Sequence, residues 1–380
     1  KPPAAVSDLT AEAIGAGKSR LKMDAAGNLE TPKGDKLKLH IPSGPEYMSI
    51  LHPDLHDISP EKALLYKTTV HKPWEDAMAN WMEINKRTRE GKVPRSIVKM
   101  AGFFSSCSPN TGVALQERHF GHILDMLHEG SLNLNEPVGQ AHIDEFQRRA
   151  QGPEYPRWNR EHYEKNGPPP GADSWEEAQR LALEPNKFGN EKKPLPQVRG
   201  FRSLDTIMPH LEHLFATHGG DGRAMAAELM GMKSNYKRLA SKLGSAGAAK
   251  EHLAESHPTV EGFGPKLTRY ALAMAGAGNI IVPDRHMTRS LYNVAADDPM
   301  SDYLATRVVT QAKNEPMLAQ LDKHFYNNHP AVQHVLSKYP EHFRGHEEQA
   351  IFPAFWLHWL HIPHYEENQG RQTQATTGGT

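Results

Sequence analysis

Residues 258–289 read PTVEGFGPKLTRYALAMAGAGNIIVPDRHMTR, and this stretch decides the fold that we expect for the chain. Gly262 and Gly264 flank Phe263, and glycine permits positive φ angles and the close approach of another backbone. Pro265 follows at once, and proline is favoured at the first position of a helix. The pattern therefore predicts a tight hairpin that leads directly into a helix.

The apolar residues of this helix indicate which way it faces. Leu267, Tyr270, Ala271 and Met274 recur at helical spacing, so their face is expected to pack inward. The amides of the hairpin and of the first helical turn then point outward. Such amides attract phosphate through their N–H groups and through the helix dipole. The pattern therefore indicates a binding site for a nucleic-acid backbone.

The segment resembles the helix-hairpin-helix superfamily of DNA glycosylases, such as the endonuclease III and 8-oxoguanine glycosylase group. The superfamily signature reads roughly Leu-Pro-Gly-Val-Gly-x-Lys, an alanine-rich helix, and then Val-Asp-x-His with a downstream arginine. Pro283 stands where the family usually has valine. The resemblance implies an all-α, two-lobed glycosylase-like fold with a long irregular insertion. The matching residues are Gly262, Gly264, Lys266, Asp284, His286 and Arg289.

The resemblance assigns catalytic roles to two of these residues. Lys266 corresponds to the amine nucleophile of glycosylases that also have lyase activity, and Asp284 corresponds to the carboxylate that assists departure of the base. Cleavage of an N-glycosidic bond develops positive charge on the sugar, which a fixed carboxylate stabilises. A lysine attacks the sugar only as a neutral amine, and burial or a nearby helix N-terminus lowers its pKa. Asp284 has an alternative interpretation as the cap of a helix that begins at Arg285.

A second segment resembles the loop and helix that open the catalytic barrel in the same superfamily. It runs from Phe103 through the Ser-Pro-Asn sequence that ends at Asn110, and continues as an amphipathic stretch to Leu127. In the family, a polar side chain from this loop fills the gap that the extruded base leaves. The resemblance implies Asn110 for this role, with Gln116 as the second candidate. Ordinary turn chemistry also explains such a loop.

Further DNA contacts are predicted around the motif. A helix is expected over 230–243, and it carries a basic face. The formal net charge of the chain is −1, which argues against a broad grip on DNA. Between Arg199 and Arg289, however, basic residues outnumber acidic ones, so binding is expected to be local. The predicted DNA contacts are Gly262, Phe263, Gly264, Asn110, Gln116, Lys233, Lys237, Arg238, Arg269, His286 and Arg289.

The composition of the chain varies along its length and predicts six segments. These are a polar N-terminal extension (1–46), a helical region in which the glycosylase-like barrel begins (47–128), a Pro- and charge-rich insertion (129–197), the helix-hairpin-helix catalytic core (198–296), a C-terminal helical region (297–365) and a disordered tail (366–380).

The cysteine and histidine content bears on cofactors. Cys107 is the single cysteine, which excludes a disulfide within the chain and a four-cysteine iron–sulfur cluster. His358, His361 and His364 lie three residues apart and are possible metal ligands. Pro363 is expected to interrupt the helix before the third histidine, and Trp356 with Trp359 indicates a packed helix in which the histidines make polar contacts. We predict neither a metal nor a cofactor.

The apolar runs of the chain are short, and no run approaches the roughly 20 residues that a membrane-spanning helix needs. The beginning of the chain also lacks the apolar core of a signal peptide. We therefore expect an intracellular protein, cytoplasmic or nucleoid-associated, that does not bind membranes. No obligate protein partner is inferred, and the expected partner is duplex DNA that contains a modified or damaged base.

Three functions remain open at this point. In the first, the protein flips a modified or damaged base out of the duplex and cleaves its N-glycosidic bond. In the second, it resembles the phage-associated alpha-glutamyl/putrescinyl thymine pyrophosphorylase group, which is expected to act on a pyrimidine substituent and leave the bond intact. In the third, it is a helix-hairpin-helix module that binds DNA without catalysis.

Overall fold

The structure is a computed structural model, and most of the residues that it describes lie in helices, which confirms the all-α expectation. Two compact units form: a first unit over 1–94, 211–258 and 264–380, and a second unit over 95–210 and 259–263. No described helix is both long and apolar enough to cross a bilayer. The described residues are 8–10, 20–31, 34–108, 113–150, 196–242, 263–295, 300, 304 and 314–377.

The principal helices of the described ranges follow one another in chain order. They are α1 (Pro45–Leu51), α2 (Pro60–Tyr66), a π-helical turn (Lys67–His71), α3 (Lys72–Arg89), α4 (Arg95–Ser106), α5 (Val113–His128), α6 (Gln140–Ala150), α7 (Pro196–His218), α8 (Gly222–Lys242), α9 (Pro265–Met274), α10 (Arg285–Tyr292), α11 (Glu315–Asn328), α12 (Pro330–Lys338), α13 (Pro340–Phe343), a 3₁₀ turn (Glu347–Ala350) and α14 (Ile351–Thr377).

Proline marks the beginning of several of these helices. Pro45, Pro60, Pro265, Pro330 and Pro340 each stand in the first turn of a helix. Proline has no amide hydrogen, and the first amides of a helix have no helical acceptor, so nothing is lost at that position. The sequence prediction that a helix begins at Pro265 is confirmed.

A small antiparallel sheet lies within the segment predicted as a polar N-terminal extension. Its strands pair in the order β1 (Asp8–Thr10), β2 (Arg20–Met23), β3 (Leu29–Glu30) and β4 (Lys36–Leu37). The turn after β2 is closed by Asp24, whose carboxylate accepts the amides of Ala26 and Asn28 at 2.9 Å. Polar turn residues of this kind lower the hydropathy of a segment and so conceal short strands.

Helix α3 forms part of the core of the first unit. Trp74, Met78 and Trp81 lie on its buried face. The indole of Trp74 donates to the carbonyl of Pro353 at 3.0 Å, and the indole of Trp81 donates to the carbonyl of Ala273 at 2.8 Å. A buried indole needs such an acceptor, so these bonds fix α3 against α14 and against the end of α9.

The second unit is held together by aromatic side chains. The ring of Phe201 meets those of Phe146 and Phe103 at centroid distances of 4.6 and 5.3 Å, both edge to face. Phe146 belongs to α6, which lies within the predicted 129–197 insertion. Residues 140–150 of this segment form a helix with an apolar face. Residues 151–195 lie outside the described residues.

The last helix, α14, is longer than the sequence indicated. Pro363 lies inside it, and the helix continues to Thr377, over most of the tail predicted as disordered. Proline removes one helical hydrogen bond, which bends or weakens a helix without necessarily ending it. Tertiary packing of the preceding apolar turns outweighs this local signal: Leu357, His358 and Ile362 are all buried.

Candidate functional site

The candidate site is built on the beginnings of α9 and α10. Gly264 is the N-cap of α9 in an extended conformation (φ −90°, ψ 179°), and Lys266 therefore lies in the first helical turn. Leu267 and Ala271 are buried, as the predicted apolar face requires. Gly262, the first glycine of the predicted hairpin, lies outside the described residues. The described part of the motif is thus the helix start that presents Lys266.

The connection from α9 to α10 is tightly packed. Gly276 has a φ of 102°, a conformation that favours glycine. Gly278 donates its amide to the side chain of Gln349 at 2.7 Å and accepts the amide of Phe352 at 2.7 Å. A Cβ atom at Gly278 would lie 2.2 Å from the carbonyl oxygen of Gln349. This close backbone contact fixes the path by which the chain reaches Asp284.

Asp284 caps α10. Its Oδ1 accepts the amide of Met287 at 2.7 Å, and the Asp284 backbone is extended, as expected of an N-cap. The capping interpretation of this residue is therefore confirmed. Capping does not consume the carboxylate, because an ionised carboxylate offers about four lone-pair sites. The helix N-terminus also favours the negative charge there.

The second oxygen of this carboxylate has a donor that sequence reasoning missed. The indole Nε1 of Trp359 donates to Asp284 Oδ2 at 3.2 Å. Next to it on α14, His358 lies with its Nε2 3.2 Å from Ser290 Oγ on α10. Two neighbouring side chains of α14 thus hold α10. A tryptophan in an apolar helix is typical of core packing, so the sequence carries no distinct signal for this contact.

Lys266 is partly buried in the first turn of α9. Burial lowers the pKa of Lys266, and the positive charge of Arg285 lowers it further, while the negative charge of Asp284 raises it in part. A lowered pKa increases the fraction of neutral amine at a given pH.

Arg269 was predicted to contact DNA, and the structure corrects this. Its side chain is 0% exposed and bonds to two acidic residues of α11. The guanidinium donates to Glu315 at 2.6 Å and to Asp322 at 2.8 Å, and also to the carbonyl of Ile281 at 3.1 Å. These three acceptors use the guanidinium internally, so Arg269 is a structural residue of the first unit.

His286 and Arg289 follow Asp284 on α10. His286 is exposed, and its Nδ1 accepts from Arg289 Nη2 at 2.8 Å. Arg289 itself is only 7% exposed. His286 is therefore placed to reach a ligand directly, while Arg289 sets the orientation of the imidazole and its tautomer, because the nitrogen that accepts carries no proton.

The remaining predicted DNA contacts are Phe263, Gln116, Lys233, Asn110, Lys237 and Arg238. The side chains of Phe263 and Gln116 are buried. Gln116 donates to the carbonyl of Phe104 at 3.2 Å, so its side chain is used within the second unit. The contact expected of Phe263 is through the hairpin backbone and stays a prediction. Lys233 is partly buried on α8. Asn110 lies outside the described residues, and of Lys237 and Arg238 the structure describes only their place on α8.

A cluster of imidazoles lies behind α10. His358 Nδ1 is 3.0 Å from the hydroxyl of Tyr47 and 3.2 Å from His329 Nε2. His361 is fully buried, and neither of its ring nitrogens has a hydrogen-bond partner among the described residues. His364 instead lies 3.0 Å from Thr69 Oγ1. Burial lowers the pKa of His358 to about 3, so this imidazole is neutral at neutral pH.

These histidines do not converge on one point. Within the described ranges, no group of three or more His, Cys, Asp or Glu side chains is arranged to hold a metal ion. The single cysteine, Cys107, is buried in the second unit, and burial raises the pKa of its thiol to about 12. Asp284 and His286 place a carboxylate and an imidazole at the start of α10.

Comparison with known proteins gives no significant match to a family model, to a curated protein or to a solved structure. A functional assignment consequently rests on the geometry and chemistry of the site.

Proposed function

We propose that the protein is a helix-hairpin-helix, glycosylase-like enzyme that flips a modified or damaged base out of duplex DNA and cleaves its N-glycosidic bond. The observation that carries the proposal is the placement of Lys266 and Asp284 at two helix N-termini of the first unit, with the Asp284 carboxylate held by two donors. One residue lies in the first turn of α9 and the other caps α10. The pKa of the lysine is lowered by burial and responds to the charge of that carboxylate.

Asp284 acts on the sugar. When the bond to the base breaks, positive charge develops on the sugar ring, and a carboxylate held in place stabilises that charge without reorganising. Asp284 is held by the amide of Met287 and by Trp359. The lone pairs that these two donors leave unused are available to the sugar.

Lys266 acts as the nucleophile. Its neutral amine attacks the anomeric carbon of the sugar, the bond to the base breaks, and the base leaves with the bonding electrons and takes up a proton. Loss of the amine proton and opening of the sugar ring then give a Schiff base, which permits strand cleavage. His286, which is exposed beside Asp284, is the nearest candidate for a contact with the DNA backbone.

The test is to incubate the protein with duplex DNAs that carry a panel of damaged and hypermodified bases, and to assay for free base by mass spectrometry. Release of one base from the panel supports the proposal and names the substrate. A base of altered mass on an intact glycosidic bond would instead identify an enzyme that modifies the base substituent. Binding without any change in the DNA would leave a non-catalytic module.

Borohydride trapping tests the role of Lys266 separately. Lys266→Met keeps an unbranched side chain and removes the amine, so the covalent adduct with DNA should disappear. Lys323→Met is the matched control, since Lys323 lies on α11 and is not part of the site. An adduct of equal yield in Lys266→Met would contradict the assignment of this lysine as the nucleophile.

A further inference from the structure

Asp284 is held by donors from two different helices, and each donor takes a different oxygen. The amide of Met287, within α10 itself, holds Oδ1 at 2.7 Å, and the indole of Trp359, on α14, holds Oδ2 at 3.2 Å. One donor alone leaves a carboxylate free to rotate about its Cβ–Cγ bond. Two donors on the two oxygens fix the plane of the group.

Trp359 is itself held in a defined position. The adjacent His358 is fully buried and lies within hydrogen-bond distance of Tyr47 on α1 and of Ser290 on α10. These contacts fix α14 against α10 at two points, one at the cap and one further along the helix. The indole N–H is therefore presented by a rigid element, which is what a site that orients a reacting group requires.

The neutrality of the indole also matters, because it leaves the negative charge of Asp284 in place. Trp359 is a neutral donor, so it orients the carboxylate without neutralising its charge. An arginine or lysine at the same point would neutralise that charge. The negative charge thus remains available to a developing positive charge, and the remaining lone pairs of both oxygens stay open. Trp359 is partly buried, which strengthens its hydrogen bond relative to one in water.

We propose that Trp359 is a positioning residue: it fixes the orientation of the Asp284 carboxylate and thereby sets the rate of glycosidic-bond cleavage. This inference rests on the proposed function for its kinetic consequence. The orientation itself is a property of the free protein, and it is open to a test that needs no substrate.

The first experiment compares Trp359→Phe with Trp356→Phe. Trp356 lies one turn earlier on the same helix and stacks on Phe352 with ring centroids 6.1 Å apart, so its replacement is the same chemical change away from Asp284. Removing a hydrogen bond to a charged group is expected to lower the rate by a factor on the order of ten. We expect that loss in kcat for Trp359→Phe with KM unchanged, and no comparable loss for Trp356→Phe. Equal kcat in both variants would overturn the inference.

The second experiment follows the indole N–H of Trp359 by NMR in protein labelled at tryptophan. Asp284→Asn replaces a carboxylate acceptor by a weaker or absent one, so the Trp359 resonance should move upfield while that of Trp356 stays in place. An unmoved Trp359 resonance would show that the bond is not formed and would overturn the inference. If the wild-type protein releases no base but the resonance moves, the proposed function fails and the orientation of Asp284 by Trp359 stands.

Discussion

Lys266 and Arg269 lie one turn apart on α9, and both were predicted from the sequence to act on DNA, yet they end in opposite environments. Arg269 is fully buried and bonded to Glu315 and Asp322. Lys266 is partly buried and its charge is opposed by burial. Arg269 thus stabilises the fold through its ion pairs, whereas burial disfavours the charged form of Lys266.

The position of a basic residue within a motif does not by itself assign that residue to ligand binding. The acidic partners of Arg269 are 46 and 53 residues further along the chain. Nothing near Arg269 in the sequence distinguishes it from a phosphate-binding arginine. A partly buried amine with a lowered pKa is, by contrast, a feature that functional sites share, whereas a fully satisfied buried ion pair is typical of structural networks.

The largest effect on stability is expected from replacing Arg269. Arg269→Met leaves Glu315 and Asp322 buried without their counterion, which should lower the free energy of unfolding by about 3–5 kcal/mol. Urea denaturation measures this. Glu315→Gln is the control, because it removes one carboxylate and leaves Arg269 paired with Asp322, so it should be milder. A loss of DNA affinity with unchanged stability in Arg269→Met would restore the original prediction.

Acid should destabilise the first unit through buried histidines that are uncharged in the folded protein. Burial lowers the pKa values of His329, His358 and His361 far below 6.5, so all three bind protons only in the unfolded chain at mildly acidic pH. Stability is therefore fully present above pH 6.5 and falls as the pH drops below it. The expected slope approaches about 1.4 kcal/mol per pH unit for each histidine.

Denaturation with urea between pH 7.5 and pH 5 measures that slope. His361→Phe, which replaces an imidazole without hydrogen-bond partners, should make the slope shallower. If stability does not change over this interval, then the histidines are not buried in the neutral form and the description of this cluster is wrong.

The smallest effect on stability is expected at Lys266. Because burial lowers the pKa of this amine, its charged form is disfavoured in the folded protein, so Lys266→Met should slightly raise the free energy of unfolding. Urea denaturation beside Arg269→Met makes the comparison direct, since two cations on one helix should change stability in opposite directions. A large destabilisation by Lys266→Met would show that the amine has a structural partner.

Local signals predicted the framework of the site. Pro265 as a helix start, the buried face with Leu267, and Asp284 as a helix cap all depend on neighbouring residues, and the structure agrees with each. The internal role of Arg269 and the bond from Trp359 depend on distant residues, so no pattern near them carried that information. The helix over 140–150 was concealed by the charged segment in which it lies.

The most direct test of the central claim is to measure Asp284→Asn for stability and for base release in parallel. Asparagine caps helices about as well as aspartate, so the loss of unfolding free energy should not exceed the ~1.5–3 kcal/mol of the weakened hydrogen bond from Trp359. Base release should fall by about 100-fold or more, because the amide carries no charge to stabilise the sugar. Base release equal to that of the wild type would contradict the account and leave Asp284 as a helix cap alone.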